Sequence, residues 1–339
     1  MKTEDVLEKF GEMIISRMEK MKKSNWKKGW FTTTYRGNPI NLRGSQYSGT
    51  NAFFLFLNMM DNEKWKYPIF ATFNQIKELG GCVLKGEKSS PVIFWDIQYK
   101  DKDGNRLNED AYNAMAISAK TECKAQPILR SFNVFNIAQT DLEKVKPQKI
   151  QKLKDKFGIA EKEEMPTDTF GMYENAEIDE MLTYQKWLCP IHFDGYSNSA
   201  FYRKDKDEIT IPQKSQFRKG ETTQDVYEDG EEYYATLIHE MIHSTGHKDR
   251  LNRQSAGTHG DADYAKEELV AELGAALCGN ILGFSSRVLD NNAAYLDAWI
   301  GRLKKQPRFI VSVLADASKA SKIVLETIKV TTKSLVPSL

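Results

Sequence analysis

The sequence predicts an α+β protein of two domains, on three observations. Its 339 residues suffice for two cores of ordinary size. The first half holds two stretches of strand character, residues 91–99 and 130–137, set between helical segments. The second half is helical around Ala235-Thr-Leu-Ile-His-Glu-Met-Ile-His-Ser-Thr-Gly-His247, which contains His-Glu-x-x-His.

In chain order, residues 3–23 place Val6, Leu7, Phe10, Met13, Ile14 and Met18 on one helical face. From Arg17 to Arg43 inclusive there are eight Lys/Arg residues and a single acidic one, Glu19, interleaved with Trp26, Trp30, Phe31 and Tyr35. Cations track phosphates and rings stack on bases, so this pattern suits single-stranded nucleic acid. The plainer alternative is aromatic packing beneath a solvated basic face. On the first reading, Lys27, Lys28, Trp30, Arg36 and Arg43 are the candidate contacts.

Residues 50–60 read as a buried helix, and 73–79 as a short helix stopped by Gly80-Gly81. Residues 82–88 suggest a strand and tight turn, leading into the strand at 91–99 and a turn at 101–105. Residues 106–126 are polar and weakly patterned, as expected of an insertion or long hairpin loop before the returning strand. Lys85, Lys88 and Arg130 are further candidate phosphate contacts, each also explicable as a solvated side chain.

Composition then shifts to Lys, Glu, Gln and Pro, which places a linker over 141–172 between domains at 1–140 and 173–330, with a tail at 331–339. In the second domain, Ile178, Met181, Leu182 and Trp187 suggest one helix, and residues 200–212 a hairpin turning at Asp205-Lys-Asp. Two amphipathic helices, 293–304 and 309–328, flank Pro307.

The formal charge of +1 rules out recognition by net charge; only the distribution of charge selects a partner. No apolar run approaches membrane-spanning length, and the opening residues lack a signal region, so a cytoplasmic protein without membrane contact is expected. Cys82, Cys123, Cys189 and Cys278 form no Cys-x-x-Cys and read as reduced thiols, which leaves metal chemistry to histidine and carboxylate. The sequence has neither a phosphate-cradling glycine loop nor a Ser or Cys nucleophile motif.

His239 and His243 lie four apart and can face one ion, with Glu240 beside it as a base. Two lone surface histidines on a half-buried helix are the bland alternative. Gly246 supplies a helix stop after the second histidine. A third ligand comes from Asp249, at the spacing of a Gly-turn metalloprotease, or from Glu268 on a later helix. Glu268 and Glu272 are stacked four apart on that mostly apolar helix, and such like charges ask for a cation. Glu268 is therefore favoured as ligand, with Glu272 orienting a histidine from behind. Gly274, Ala275 and Gly279 would admit a neighbouring helix. His247 is a candidate supporting group at the helix end; His192 and His259 are weaker candidates for oxyanion stabilisation.

The segments His239-Glu-Met-Ile-His-Ser-Thr-Gly-His-Lys-Asp-Arg-Leu251 and Glu267-Glu-Leu-Val-Ala-Glu-Leu-Gly-Ala275 resemble the zincin-type domain of ArdC-like antirestriction proteins. Tyr47-Ser-Gly-Thr-Asn51, Thr72-Phe-Asn-Gln-Ile-Lys-Glu-Leu-Gly-Gly81, Lys85-Gly-Glu-Lys88, Val92-Ile-Phe-Trp95 and Val134-Phe-Asn136 are similar to the family's N-terminal domain, in the same order. Trp26-Lys-Lys-Gly-Trp30 departs from the tryptophan-proline opening of many members by lacking proline. The resemblance implies single-stranded DNA binding by the first domain, adding Tyr47 to the contacts. It also implies one Zn2+ held by His239, His243 and Glu268, an edge strand that receives peptide, and protection of mobile-element DNA from restriction. A host protein is then a candidate substrate. The competing expectation is a DNA-binding antirestriction protein that cleaves nothing and whose metal is structural.

Overall fold

The computed structural model describes residues 3–23, 38–47, 49–60, 62, 64–156, 167–253, 262–284, 296–306 and 309–328. It is a mixed α/β protein whose described residues form two separate sheets. Helix α1 (Thr3–Lys23) is amphipathic, with Val6, Phe10, Ile14 and Met18 at four-residue spacing and fully buried. After β1 (Ile40–Asn41) comes α2 (Gly49–Met60), apolar nearly all round and buried accordingly. Phe10 of α1 stacks on Phe54 of α2 at a centroid distance of 3.7 Å.

Strand β2 (Ile69–Thr72) runs into α3 (Phe73–Glu78), which starts in a capping box between Thr72 and Gln75. Gly80, at φ +78°, turns the chain away after it. The long strands β3 (Ser90–Lys100) and β5 (Lys124–Asn136) pair antiparallel from Ser90–Val134 to Lys100–Lys124. Between them, the stretch expected to be a loop is folded into β4 (Arg106–Leu107), α4 (Glu109–Ala114) and α5 (Ile117–Thr121). Asn108 caps α4, and Tyr112 stacks on Tyr99 at 3.8 Å. Helices of six and five residues are too short to leave a periodic signature. The sheet order is β1-β2-β5-β3-β4.

Residues 142–156 are two helices, α6 (Leu142–Val145) and α7 (Pro147–Lys156). Their Leu142, Ile150 and Leu153 pack with Ile40, Ile69, Ala71 and Ile76 of the sheet layer. Helix α8 (Ala176–Thr183) starts at the Asn175 cap and buries Ile178, Met181 and Leu182. Trp187, expected on the same helix, lies past its end because Gln185 adopts φ +47° and redirects the chain. Its ring N–H donates instead to Ser244 Oγ at 2.9 Å.

The second sheet is β6 (Ile191–His192), β7 (Phe201–Arg203) and β8 (Glu208–Thr210) in the order β6-β8-β7, so the hairpin leaves β7 at the edge. Helix α9 (Thr223–Thr245) begins in a Thr222/Asp225 capping box, and α10 (Ala262–Leu282) packs beside it. A Cβ on Gly274 would meet Ile242 of α9 at 3.0 Å, so the glycine admits the neighbouring helix. Gly279 accommodates Phe284, just past its own helix, rather than another helix. Helices α11 (Leu296–Lys305) and α12 (Phe309–Thr327) complete the described chain.

The largest core cluster joins both halves: Val6, Phe10, Ile14, Phe53 and Phe54 share it with Ile238, Leu273, Leu303 and Leu314. Gly49, at φ +55°, opens α2 against α12, where a Cβ would stand 3.3 Å from Ser318 Oγ. Among the described residues, no helix is long and apolar enough to cross a membrane.

Candidate metal centre

Helix α9 carries His239 and His243 on one face, and α10 brings Glu268 against both. The two Nε2 atoms are 3.1 Å apart. Glu268 Oε2 lies 3.5 Å from His239 Nε2, and its Oε1 lies 3.5 Å from His243 Nε2. Ligand atoms held at about 2.0–2.1 Å in a tetrahedron stand roughly 3.3–3.4 Å from one another. Two imidazoles and a carboxylate at this separation fit a divalent metal. All three are well covered, with side-chain exposures of 4%, 14% and 8% for His239, His243 and Glu268.

Electrostatics point the same way. Burial opposes ionisation of Glu268, but the two histidines override it and hold its carboxyl far below the usual range. Burial also disfavours charge on His243, yet Glu267 and Glu268 raise its affinity for a proton well above the ordinary value. The carboxylates around His243 thus favour positive charge at that ring.

Each histidine has a carboxylate behind it. Glu272 Oε1 lies 3.9 Å from His239 Nδ1, a buried nitrogen that no hydrogen bond reaches among the described residues. Glu267 Oε1 lies 3.5 Å from His243 Nδ1 and is held in turn by Arg253. Neither Glu267 nor Arg253 was singled out from sequence. Glu267 was visible only as the first of the Glu267-Glu268 pair, and nothing in the order of residues announces Arg253, 14 positions earlier.

Gly246 caps α9 at φ −75° and ψ −6°, a right-handed conformation open to any residue, so left-handed geometry is not its reason. Asp249 stands outside the cluster: its side chain is 76% exposed and faces His247 Nδ1 at 3.5 Å. His247 lines the cleft but meets Asp249, whose N–H it accepts at 3.3 Å, rather than a histidine of the cluster. His192 is exposed in β6, 3.5 Å from Glu208, and is not among the cleft residues; His259 lies outside the described residues.

The three side chains sit in the floor of a cleft of about 770 Å³. Glu240, itself buried, lines it next to His239. The cleft is also lined by residues of β7 and the loop before it, among them Tyr196, Ala200 and Tyr202, while Tyr264 of α10 adds a phenol one turn before Glu268. Gln216 fixes the loop by accepting from Ser197 N–H and donating to Ser197 O at 3.2 and 2.8 Å.

Among the described residues, the candidate nucleic-acid contacts lie on separate elements. Lys27, Lys28, Trp30 and Arg36 lie outside the described residues. Arg43 is exposed in a turn whose N–H groups Asn41 accepts. Tyr47 packs edge-on to Phe70, and burial pushes its phenol up to about 12, as befits a core ring. Lys85 and Lys88 are exposed in the loop entering β3, three strands across the sheet from β1. Arg130 is paired with Asp96 at 2.6 Å.

Residues 4–135 match the family described as the N-terminal domain of anti-restriction factor ArdC, and residues 183–316 match the zincin-like metallopeptidase family. The chain is 27% identical to the antirestriction ArdC protein of plasmid R388 in its metal-free crystal structure, with a TM-score of 0.67 over 96% of this chain and 98% of that one. Against the Mn(II)-bound structure the TM-score is 0.63 at 26% identity, over 95% of this chain and 98% of that one. It is 30% identical over 325 residues to a DNA primase TraC of Escherichia coli, covering 93% of this chain and 20% of the primase. A second TraC primase is covered over 27% of its length, so the chain spans about a fifth to a quarter of these relatives. It is also 28% identical to the uncharacterized protein y4eC of Sinorhizobium fredii, over 94% of this chain and 90% of that one.

Proposed function

The chain belongs to the ArdC-like antirestriction proteins, an ArdC N-terminal domain followed by a zincin-like metallopeptidase domain, and from that premise we propose that it is a zinc-dependent peptidase coupled to single-stranded-DNA binding. The observation that carries the enzymatic part is the convergence of His239, His243 and Glu268 beside the buried Glu240 in one cleft.

His239, His243 and Glu268 hold the metal. When bound, it supplies Lewis acidity towards a carbonyl and lowers the pKa of water. The residues of the chain do the rest. Glu240 takes a proton from the attacking water and returns it to the leaving amine. Glu267, 3.5 Å from His243 Nδ1, and Glu272, 3.9 Å from His239 Nδ1, stand on the side of each ring where a carboxylate favours the tautomer that leaves Nε2 free. Among the described residues strand β7 pairs on one side only, with β8, and its other edge is where an extended peptide adds as a strand. The free cysteines accord with a reducing, cytoplasmic setting. The relatives' plasmid and antirestriction descriptions support a role in protecting DNA from restriction; a host protein is the substrate this reading assigns.

Glu240→Gln separates this function from that of a DNA-binding protein with a structural metal. In a conjugation assay against a restricting recipient, the variant loses protection while retaining bound metal. Undiminished protection with metal bound would leave the structural-metal function standing. Anisotropy with labelled single-stranded DNA across a salt series tests the other half: binding weakens steeply with salt.

A further inference from the structure

We propose that Arg253 and Glu267 form a buried clamp that positions His243 as a metal ligand, and that Gly246 is glycine to admit that clamp; this rests on the metal-binding reading above. Arg253 donates from Nε and Nη2 to the two oxygens of Glu267 at 3.2 and 2.8 Å, a two-point fork. Its Nη1 donates to Thr245 Oγ1 and its Nη2 to Ile242 O, both at 2.8 Å. One guanidinium therefore satisfies the last turn of α9 and grips α10 together. With side-chain exposures of 9% and 15%, the pair is shielded from water and salt.

Glu267 passes this constraint on. Its Oε1, fixed by Arg253, is the atom that faces His243 Nδ1 at 3.5 Å. A carboxylate there keeps the proton on Nδ1 and leaves Nε2 aimed at Glu268 and His239. Arg253 also offsets charge, since Glu240, Glu267, Glu268 and Glu272 all gather at this end of the two helices. A Cβ on Gly246 would stand 3.3 Å from Arg253 Nη2, 3.4 Å from Glu267 Oε1 and 3.1 Å from His243 O. A side chain there presses on the guanidinium while only touching the carboxylate, which accounts for a glycine with an ordinary φ beside the clamp.

Arg253 is thus a positioning residue, and the test reads metal binding instead of turnover. Zn2+ affinity is measured by chelator competition for wild type, Arg253→Met, Arg253→Lys and Glu267→Gln, and the visible spectrum of each Co2+ form is recorded. Arg253→Met weakens Zn2+ binding by about 10–100-fold and alters the Co2+ bands. Arg253→Lys recovers part of the loss, because an ammonium restores charge but not the fork. Equal Zn2+ affinity and an unchanged Co2+ spectrum in Arg253→Met would overturn the proposal and leave Arg253 as a helix strap. Should Arg253→Met fail to fold, the isosteric Glu267→Gln decides: weaker Zn2+ binding upholds the clamp, unchanged binding refutes it. A wild type that binds neither metal would instead refute the metal-site reading itself.

Discussion

Arg250 and Asp207 form a two-point ion pair, Nη1 to Oδ1 at 2.9 Å and Nη2 to Oδ2 at 2.6 Å, that pins the β7–β8 hairpin to the end of α9. Arg250 also donates to Ser244 O and Leu188 O, and Tyr202 donates its hydroxyl to Asp207 at 2.8 Å. The strand that walls the cleft is thereby fixed to the helix that carries the histidines. Removing one partner strands the other half-buried, so Asp207→Ala is expected to cost about 1–3 kcal/mol and to raise hydrogen exchange in residues 201–210. Unchanged exchange there would show that the hairpin is held by packing alone.

The same pair gives a pH dependence. Burial opposes ionisation of Asp207, but Arg250 and Tyr202 outweigh it and hold the carboxyl below the usual range. A carboxyl depressed in the folded state contributes stability above its unfolded pKa of about 4 and loses it as pH falls through the folded value. Thermal melts of wild type and Asp207→Asn should therefore differ most near neutral pH and converge in acid. A gap that stays constant down to the acid limit would contradict this.

The shared core predicts cooperative unfolding. Phe10 is fully buried and lies in one cluster with Leu314 and Ile238. Calorimetry of the intact chain should show one main transition, and Phe10→Ala should lower it by about 3–5 kcal/mol of stability as a whole. Two separated transitions, with only the earlier one moved by Phe10→Ala, would mean independent cores.

The close approach of α9 and α10 sets the distance from the histidines to Glu268. Adding a methyl at Gly274 meets Ile242 at 3.0–3.2 Å, so Gly274→Ala is expected to destabilise by about 1–3 kcal/mol. It should also weaken metal binding, measured by chelator competition, because it pushes Glu268 outward. Full affinity in this variant would show that the helices shift without moving the carboxylate.

Much of the candidate site was legible because helical periodicity pairs its residues within each helix. His239 with His243, and Glu268 with Glu272, each sit one turn apart on helices whose apolar faces are plain in the sequence. What periodicity cannot state is which face meets which. Val6, Phe10, Ile14 and Met18 announce a buried stripe, but not that it joins a core with α11 and α12. Ile150 and Leu153 were hidden in a lysine-rich stretch, where two inward residues suffice to dock a short helix. Trp187 was misplaced because a left-handed Gln185 gives no warning in composition. Arg253 reaches Glu267 only through the path of a turn, which sequence spacing does not encode.

The most direct measurement is elemental analysis of the purified protein and three variants. Wild type, Asp249→Ala and Glu240→Gln should each carry one divalent metal per chain, zinc on this account, and Glu268→Ala should carry none. Metal retained in Glu268→Ala but lost in Asp249→Ala would move the site off α10 and contradict the ligand set proposed for the cleft.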